Sequence, residues 1–557
     1  MAKNLLAVLI KGTDRSLWME AVEMAIQAAS FPALDRPRPV INPWFIALTV
    51  TLATFMELLD TAVANVSLPH IAGGLATSYD ESTWVLTSYL IANAVILPLS
   101  AWLSRVFGRK NYYMGCVALF SVSSLLCGLA PSLALLIFFR ILQGIGGGGL
   151  APVEQAILVD TFPASKRPAA FALYSMAIVT APAIGPPLGG WITDSFSWRW
   201  VFFINIPIGI ISLVLTSRLV SDPPQFRKEV EDARRAGKLK VDYLGIMLVA
   251  AGFACLEVVL DRGQQEDWLD SNFIVGFLIV AVTALVAAVI WELRHDDPVI
   301  ELALLKERNF AIANAIYFLF GFVLFGSTVL IPQMLQSLYG YTATDAGLVL
   351  GPGAMVIAVM APLVVRMVKR IPAAWMIGFG FAVLGSSMWY FGSFNLATDY
   401  AREAWARALQ GFGIAFLFVP TSQLAYSYLP NNKNNKASSL TNLFRNWGGS
   451  FGIAFVTTMV ARRAQYHQSV LITHITDFDQ ALNANLAGIT NRFVERGYSA
   501  ADGAVSAVRQ IYAIVQQQAA MLAFLDCFWF LGIAALIGPM LALFIRKFQV
   551  GGQASGH

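Results

Sequence analysis

Ionisable residues stand inside long apolar stretches of this chain, among them Glu57 and Asp60 in the first and Arg140 and Glu154 in the fourth. Glu57 and Asp60 are three positions apart, which on a helix puts both carboxyls on neighbouring parts of one face. An ionised carboxylate near mid-membrane costs about 2.5–3.5 kcal/mol on insertion scales, so it must be paired, hydrated or protonated. A group held among those states can take up and release a proton; the same acid can equally brace a neighbouring helix permanently. Arg140 does not readily shed its proton, and taken alone it would brace backbone carbonyls or a helix end. Other chemistries lack their signatures. No GxxxxGK[ST] loop cradles phosphate, and the five histidines include no HExxH. The four cysteines (Cys116, Cys127, Cys255, Cys527) fall in apolar runs without CxxC spacing, which reads as packing and predicts no metal.

The elements that must position these residues are membrane helices. Of 557 residues, 57% are hydrophobic and 13% charged, about half the charge of an ordinary soluble chain. The mean hydropathy is +0.63. Roughly 20 apolar helical residues cross the hydrocarbon core, and such runs recur nearly end to end, without the short alternating strands of a barrel. The expectation is an all-α polytopic membrane protein with spans near 44–64, 82–103, 112–130, 134–157, 169–192, 200–219, 243–261, 272–293, 310–333, 346–367, 373–393, 403–428, 438–461 and 521–545. Lys and Arg crowd the loops on one side, including Arg105, Arg109, Lys110, Lys166 and Arg167. The short loops of the other side hold Arg199, Arg262 and Arg402. By the positive-inside rule both ends are cytoplasmic, which requires an even number of spans. The net charge of +4 lies in short loops and points to no nucleic acid. Segment 1–43 is expected to be a cytoplasmic interfacial helix or a tail; its Leu5–Ile10 run is too short for a signal-peptide core.

An internal repeat divides the array. Arg140, Gln143 and Gly144 reappear as Arg407, Gln410 and Gly411, each 267 positions on, and the basic turn after the second span has a weaker counterpart at 366–370. The domains expected are a first six-helix bundle (44–219), a cytoplasmic linker with an inserted helix pair (220–309, helices 243–261 and 272–293), a second bundle (310–546) and a cytoplasmic tail (547–557). The second bundle carries a long outer loop, 462–520, whose end reads as helix running into the last span. It is either a docking surface or a solvated cap. Gly144, Gly185, Gly189 and Gly190 are spaced for close helix approach. Pro182, Pro186 and Pro187 break the hydrogen-bond ladder of the fifth span and are expected to kink it. Trp84, Tyr89, Phe138, Tyr174, Phe325, Met334 and Phe416 are residues of the kind that line a broad apolar cavity.

These stretches resemble the major facilitator superfamily, specifically its fourteen-span drug:proton antiporter branch of EmrB/QacA-like multidrug exporters. The matching residues are Leu59-Asp60-Thr61-Ala62-Val63-Ala64-Asn65-Val66, Arg140 to Gly144, Ala181 to Gly190 and Trp198 to Gly209. The resemblance implies two six-helix bundles plus two inserted helices, and a secondary transporter, not an enzyme. It implies proton coupling through Asp60, Glu57, Arg140 and Glu154, with Arg140 biasing the protonation of an acid in the first span. It further implies an antiporter motif at Gly185, Pro186, Gly189 and Gly190 with Gly144, and an inner gate at Arg105, Gly108, Arg109 and Lys110. Arg407, Gln410, Gly411 and Arg445 are second-half counterparts. The family's gate loop carries an acid where this chain has Ser104, which leaves the gate's charge pairing open. The implied activity is export of hydrophobic or amphipathic toxic compounds across a bacterial inner membrane, driven by the proton-motive force without a cofactor. A membrane-fusion adaptor and an outer-membrane channel are implied partners. An exporter of one endogenous lipid-like or fatty-acid metabolite, or a non-transport membrane scaffold, are the other readings.

Overall fold

A computed structural model describes residues 42–222, 242–295, 298–430, 433–473, 475 and 480–546. The expected interfacial helix within 1–41, most of the 220–242 loop and the 547–557 tail lie outside the described residues. Among those described, thirteen helices are long and apolar enough to cross a membrane. In chain order we label the long helices α1 Pro43–Val66, α2 Trp84–Phe107, α3 Arg109–Leu129, α4 Leu133–Thr161, α5 Arg167–Ser195, α6 Trp200–Leu219, α7 Tyr243–Arg262 and α8 Asn272–Arg294. They continue with α9 Arg308–Leu338, α10 Ala343–Met367, α11 Ala373–Phe391, α12 Tyr400–Ala425, α13 Asn434–Thr473 and α14 Ala500–Leu543.

The fourteenth long helix, α13, is too polar to pass on composition. Its polar residues, among them Ser438, Ser439, Thr441, Asn442 and Arg445, are buried against the rest of the bundle. A polar stripe is tolerated at membrane depth when it is turned inward onto partners. Local chemistry sets several helix starts. Thr342 and Asp345 form a capping box at α10, Ser499 caps α14 through Asp502, and Glu307 accepts the first free amides of α9. α5 remains a single helix of 29 residues with its three prolines inside.

The 462–520 segment, read as a loop, is mainly helical. α13 runs on to Thr473, a helix Gln480–Glu495 follows, and α14 starts at Ala500 and continues into the last span. Arg463 and His467 of α13 both reach Asp526 of α14, at 2.5 and 2.8 Å. Close packing elsewhere depends on glycine. A Cβ at Gly448 or Gly452 of α13 would overlap the carbonyls of Phe318 or Phe322 on α9, and one at Gly144 would overlap the Tyr89 carbonyl on α2.

Candidate functional site

Asp60 and Arg140 meet in the middle of the first six helices. Arg140 is the largest fully buried side chain at 0% exposure, and Asp60 is 1% exposed. Arg140 Nη1 donates to Asp60 Oδ2 at 2.6 Å and to Gln143 Oε1 at 2.8 Å, while its Nε donates to the Val85 carbonyl at 3.0 Å. Asp60 Oδ1 accepts from Gln143 Nε2 at 3.0 Å and from Asn205 Nδ2 at 2.6 Å. Asn205 is itself held by Ser124 at 3.0 Å. Residues of α1, α2, α3, α4 and α6 therefore converge on one carboxylate. A charge at this depth is stable only when so paired and hydrogen-bonded. The structure brings together Asp60, Arg140 and Gln143, and adds Asn205, Ser124 and the Val85 carbonyl, which sequence reasoning missed. Asn205 sits in the Trp198–Gly209 stretch that carried the resemblance, so its position was visible while its partner was not.

Tyr89 links this pair to a second acid. Its ring lies 4.3 Å under the Arg140 guanidinium, and its hydroxyl donates to Glu57 at 3.2 Å. Asn93 also donates to Glu57, at 3.0 Å. Tyr89 thus touches both acids' surroundings, its hydroxyl on Glu57 and its ring face on Arg140. Glu154 stands apart, fully buried; Thr51 donates to its Oε1 at 2.6 Å, and its Oε2 has no hydrogen-bond partner among the described residues. Arg445 of α13 reaches across to Tyr174 of α5 at 3.1 Å, and Gln155 and Tyr174 each donate to Asn442 at 3.4 Å.

The second half repeats the Arg–Gln pair without the acid. Arg407 hydrogen-bonds Gln410, whose Nε2 donates to Ser327 Oγ of α9 at 2.7 Å. Ser327 stands 267 positions after Asp60, the offset that relates Arg407 to Arg140. The repeat had therefore already marked Ser327 as the place where the first half keeps its carboxylate. Gly411 faces Gly353 of α10 so closely that a Cβ would overlap its backbone.

α5 packs on both halves. A Cβ on Gly185 would overlap Ala62, one on Gly189 would stand 3.1 Å from Val63, and Pro187 lies where a Cβ on Gly347 of α10 would go. Gly190 is buried and Pro186 half-buried in the same stretch. At the end of the bundle that carries the α2–α3 turn, Gly108 has a φ of 85°, a left-handed conformation that favours glycine. Arg105 is half-buried there. Arg109 pairs with Asp160 at the end of α4. The Lys110 amide donates to Asp222 at 2.9 Å and its ammonium to the Ser217 carbonyl at 2.5 Å. The acids that meet the basic end of this turn are therefore Asp160 and Asp222. Ser104 instead accepts from Asn435 of α13 at 3.3 Å, Ser439 donates to the Leu97 carbonyl at 2.9 Å, and Asn434 donates to Asp160 at 2.8 Å. These bonds join the two halves at this basic end.

The expected aromatic cavity set does not come together. Phe138 points out of the bundle, 52% exposed, because it lies about 200° around α4 from buried Arg140. Trp84 lies under Arg262, Phe325 fills the space beside Gly449, and Phe416 packs on Phe379 and Phe412 within the second half. Met334 is fully buried, and Tyr89 and Tyr174 belong to the polar networks above.

The model of the Major Facilitator Superfamily matches residues 50–453. The chain is 36% identical over 462 residues to the multidrug export protein EmrB of Escherichia coli (strain K12), covering 82% of this chain and 88% of that one. It is 35% identical over 454 residues to the fatty acid resistance protein FarB of Neisseria gonorrhoeae, covering 81% and 88%. It is 29% identical over 510 residues to the colistin resistance protein EmrB of Acinetobacter baumannii, covering 91% and 97%. The solved proton:xylose symporter XylE superposes with a TM-score of 0.57 at 15% identity, covering 91% of this chain and 98% of that one, which shows the shared fold. With its helical array, its repeated Arg–Gln pair and these matches, the chain belongs to the major facilitator superfamily.

Proposed function

We propose that the chain is a proton-coupled antiporter that exports hydrophobic or amphipathic toxic compounds by alternating access. The observation that carries this reading is the buried Asp60–Arg140 pair, present in the first half and replaced by Ser327 and Arg407 in the second. A proton arriving on Asp60 removes the charge that Arg140 is matched to, and a buried cation that loses its partner drives the helices to rearrange. Arg140, Gln143 and Asn205 orient the carboxylate, and Glu57, bonded to Tyr89 and Asn93, is a second acid one turn away that can hold a proton. Relatives named for multidrug export support the substrate class. A proton entering down a potential gains about 2.3 kcal/mol per 100 mV and about 1.4 kcal/mol per pH unit. At 100 mV and one pH unit the total of about 3.7 kcal/mol supports roughly a several-hundredfold uphill gradient of a neutral solute.

The basic turns support an orientation with the α2–α3 end and both termini in the cytoplasm, in an inner membrane. The extension built from α13, α14 and Gln480–Glu495 then stands outside. Its exposed Tyr466, Val505, Val508 and Tyr512 suit it to a periplasmic adaptor leading to an outer-membrane channel. A second reading, export of a fatty-acid-like metabolite, is favoured by the similarity to a fatty acid resistance protein. A resistance panel of drugs and long-chain fatty acids in a pump-deficient host separates the two. In reconstituted vesicles, Asp60→Asn should abolish efflux driven by an imposed pH gradient. Efflux at the native rate by that variant overturns the proposal.

A further inference from the structure

The inserted helix α7 takes no part in the Asp60–Arg140 site, yet one of its faces carries two acids, Glu257 and, near the helix end, Asp261. α8 covers its other side, where Gly252 fits against Leu285. Phe253, Glu257 and Asp261 follow at four-residue steps and so share one face of α7. The face starts on the second half: Phe253 stacks on Trp447 of α13, with ring centroids 5.0 Å apart. One turn on, Glu257, 7% exposed, accepts a hydrogen bond from Ser450 Oγ of α13 at 3.0 Å. The face ends on the first half. Asp261 accepts from Thr87 Oγ1 of α2, and adjacent Arg262 lies 4.3 Å from the ring centre of Trp84 of α2.

α2 and α13 also meet directly near the basic end, where Ser104 meets Asn435 and Ser439 bonds the Leu97 carbonyl. Thr87 lies ten residues from Leu97 along α2, roughly 15 Å away at helical rise. There α7 stands between the two helices and is bonded to both. Any rocking of one half against the other that opens this seam at the basic end must change the geometry at α7. Two carboxylates hold that geometry.

We propose that Glu257 and Asp261 are positioning residues of the transport cycle: a latch on the α2–α13 seam that protonation releases. A hydroxyl bond to an ionised carboxylate is roughly twice as strong as one to a neutral acid, so each proton gained loosens one side of the strap. The ionisable groups facing the pair are each other and Arg262, while α2 and α13 present the hydroxyls and indole rings named above. The latch rests on the alternating-access reading, but it can be measured without any substrate.

Spin labels at Glu81→Cys, before α2, and Arg462→Cys, on α13, report the width of the seam by pulsed electron resonance. The full chain is used in lipid nanodiscs, with Cys116, Cys127, Cys255 and Cys527 replaced by Ala. The unlatched distance should gain population in mildly acidic buffer over mildly alkaline buffer. Glu257→Gln with Asp261→Asn should show the acidic distribution in both buffers. Thr87→Val with Ser450→Ala, which keeps both acids and removes their donors, should do the same. Asp60→Asn, which strands Arg140, should shift the distribution in both buffers yet keep a difference between them while losing gradient-driven efflux, so failure of the latch and failure of the antiport site are distinguishable. A double-acid variant that responds to pH like the native chain overturns the latch. So does a native distance that ignores pH, or loss of the response in Asp60→Asn, which would assign it to the central site.

Discussion

Asp60 and Glu154 are both buried acids, but their surroundings differ in kind. Asp60 has a cation and two amide donors; Glu154 has one hydroxyl on one oxygen and nothing on the other. A buried acceptor without a partner costs about 1–3 kcal/mol. Glu154→Gln supplies an amide of the same shape and removes the ionisable group, so it should unfold in detergent at a temperature no lower than the native chain. A large drop would show that the carboxyl of Glu154 is stabilising where it stands. Asp60→Asn differs because it strands Arg140 in the bundle, and it should lower stability as well as stop coupling, by roughly 3–5 kcal/mol. Sequence alone marked both acids as expensive. It could not rank them, because their partners Gln143, Asn205 and Thr51 lie on other helices.

At the scale of elements, helix pairs in this bundle are set by where side chains are absent. Gly448 of α13 lies against the Phe318 carbonyl of α9, and the backbone there cannot yield as a flexible side chain would. Gly448→Ala should cost about 1–3 kcal/mol through forced separation of α9 and α13. Gly115 of α3 has open space around its Cβ position, and Gly115→Ala should be neutral or gain about 0.4–1 kcal/mol. Thermal unfolding of the two variants in one detergent checks both signs; equal effects would contradict this packing. The glycines of α4 and α5 were legible as a small-residue pattern; Gly448 and Gly452 lie in the span read at 438–461, but their fit against α9 is a long-range contact that the sequence does not display. The structure scatters the aromatic set for a physical reason. An aromatic side chain suits core, cavity or lipid equally, so its type alone does not say which way it points.

For the whole molecule, the joint between halves at the basic end depends on charges outside the membrane. Glu301, before α9, meets Lys433 and also Lys436 at 2.9 Å, both from the start of α13. Burial alone pushes its carboxyl up, but the two lysines outweigh burial and hold it below its usual 4.5. A carboxyl so depressed contributes stability that is present above pH 4.5 and is lost as the pH falls through its lowered value. Glu301→Gln should therefore weaken the joint at neutral pH and flatten the acid limb of the unfolding curve below about pH 4.5. An unchanged acid limb would show that the pair contributes nothing. Sequence by itself determined the membrane class, nearly every span, the repeat at 267 positions and the likeness to the superfamily. All of these follow from hydropathy, period and local motif, which are properties of neighbours along the chain. Tertiary structure decided that Asp60 takes its donors from α4 and α6, that Arg109 and the Lys110 amide meet Asp160 and Asp222, and that α7 bonds to both halves. These depend on groups about 50 to 190 residues apart meeting in one low-dielectric interior, where pairing outweighs the cost of burial.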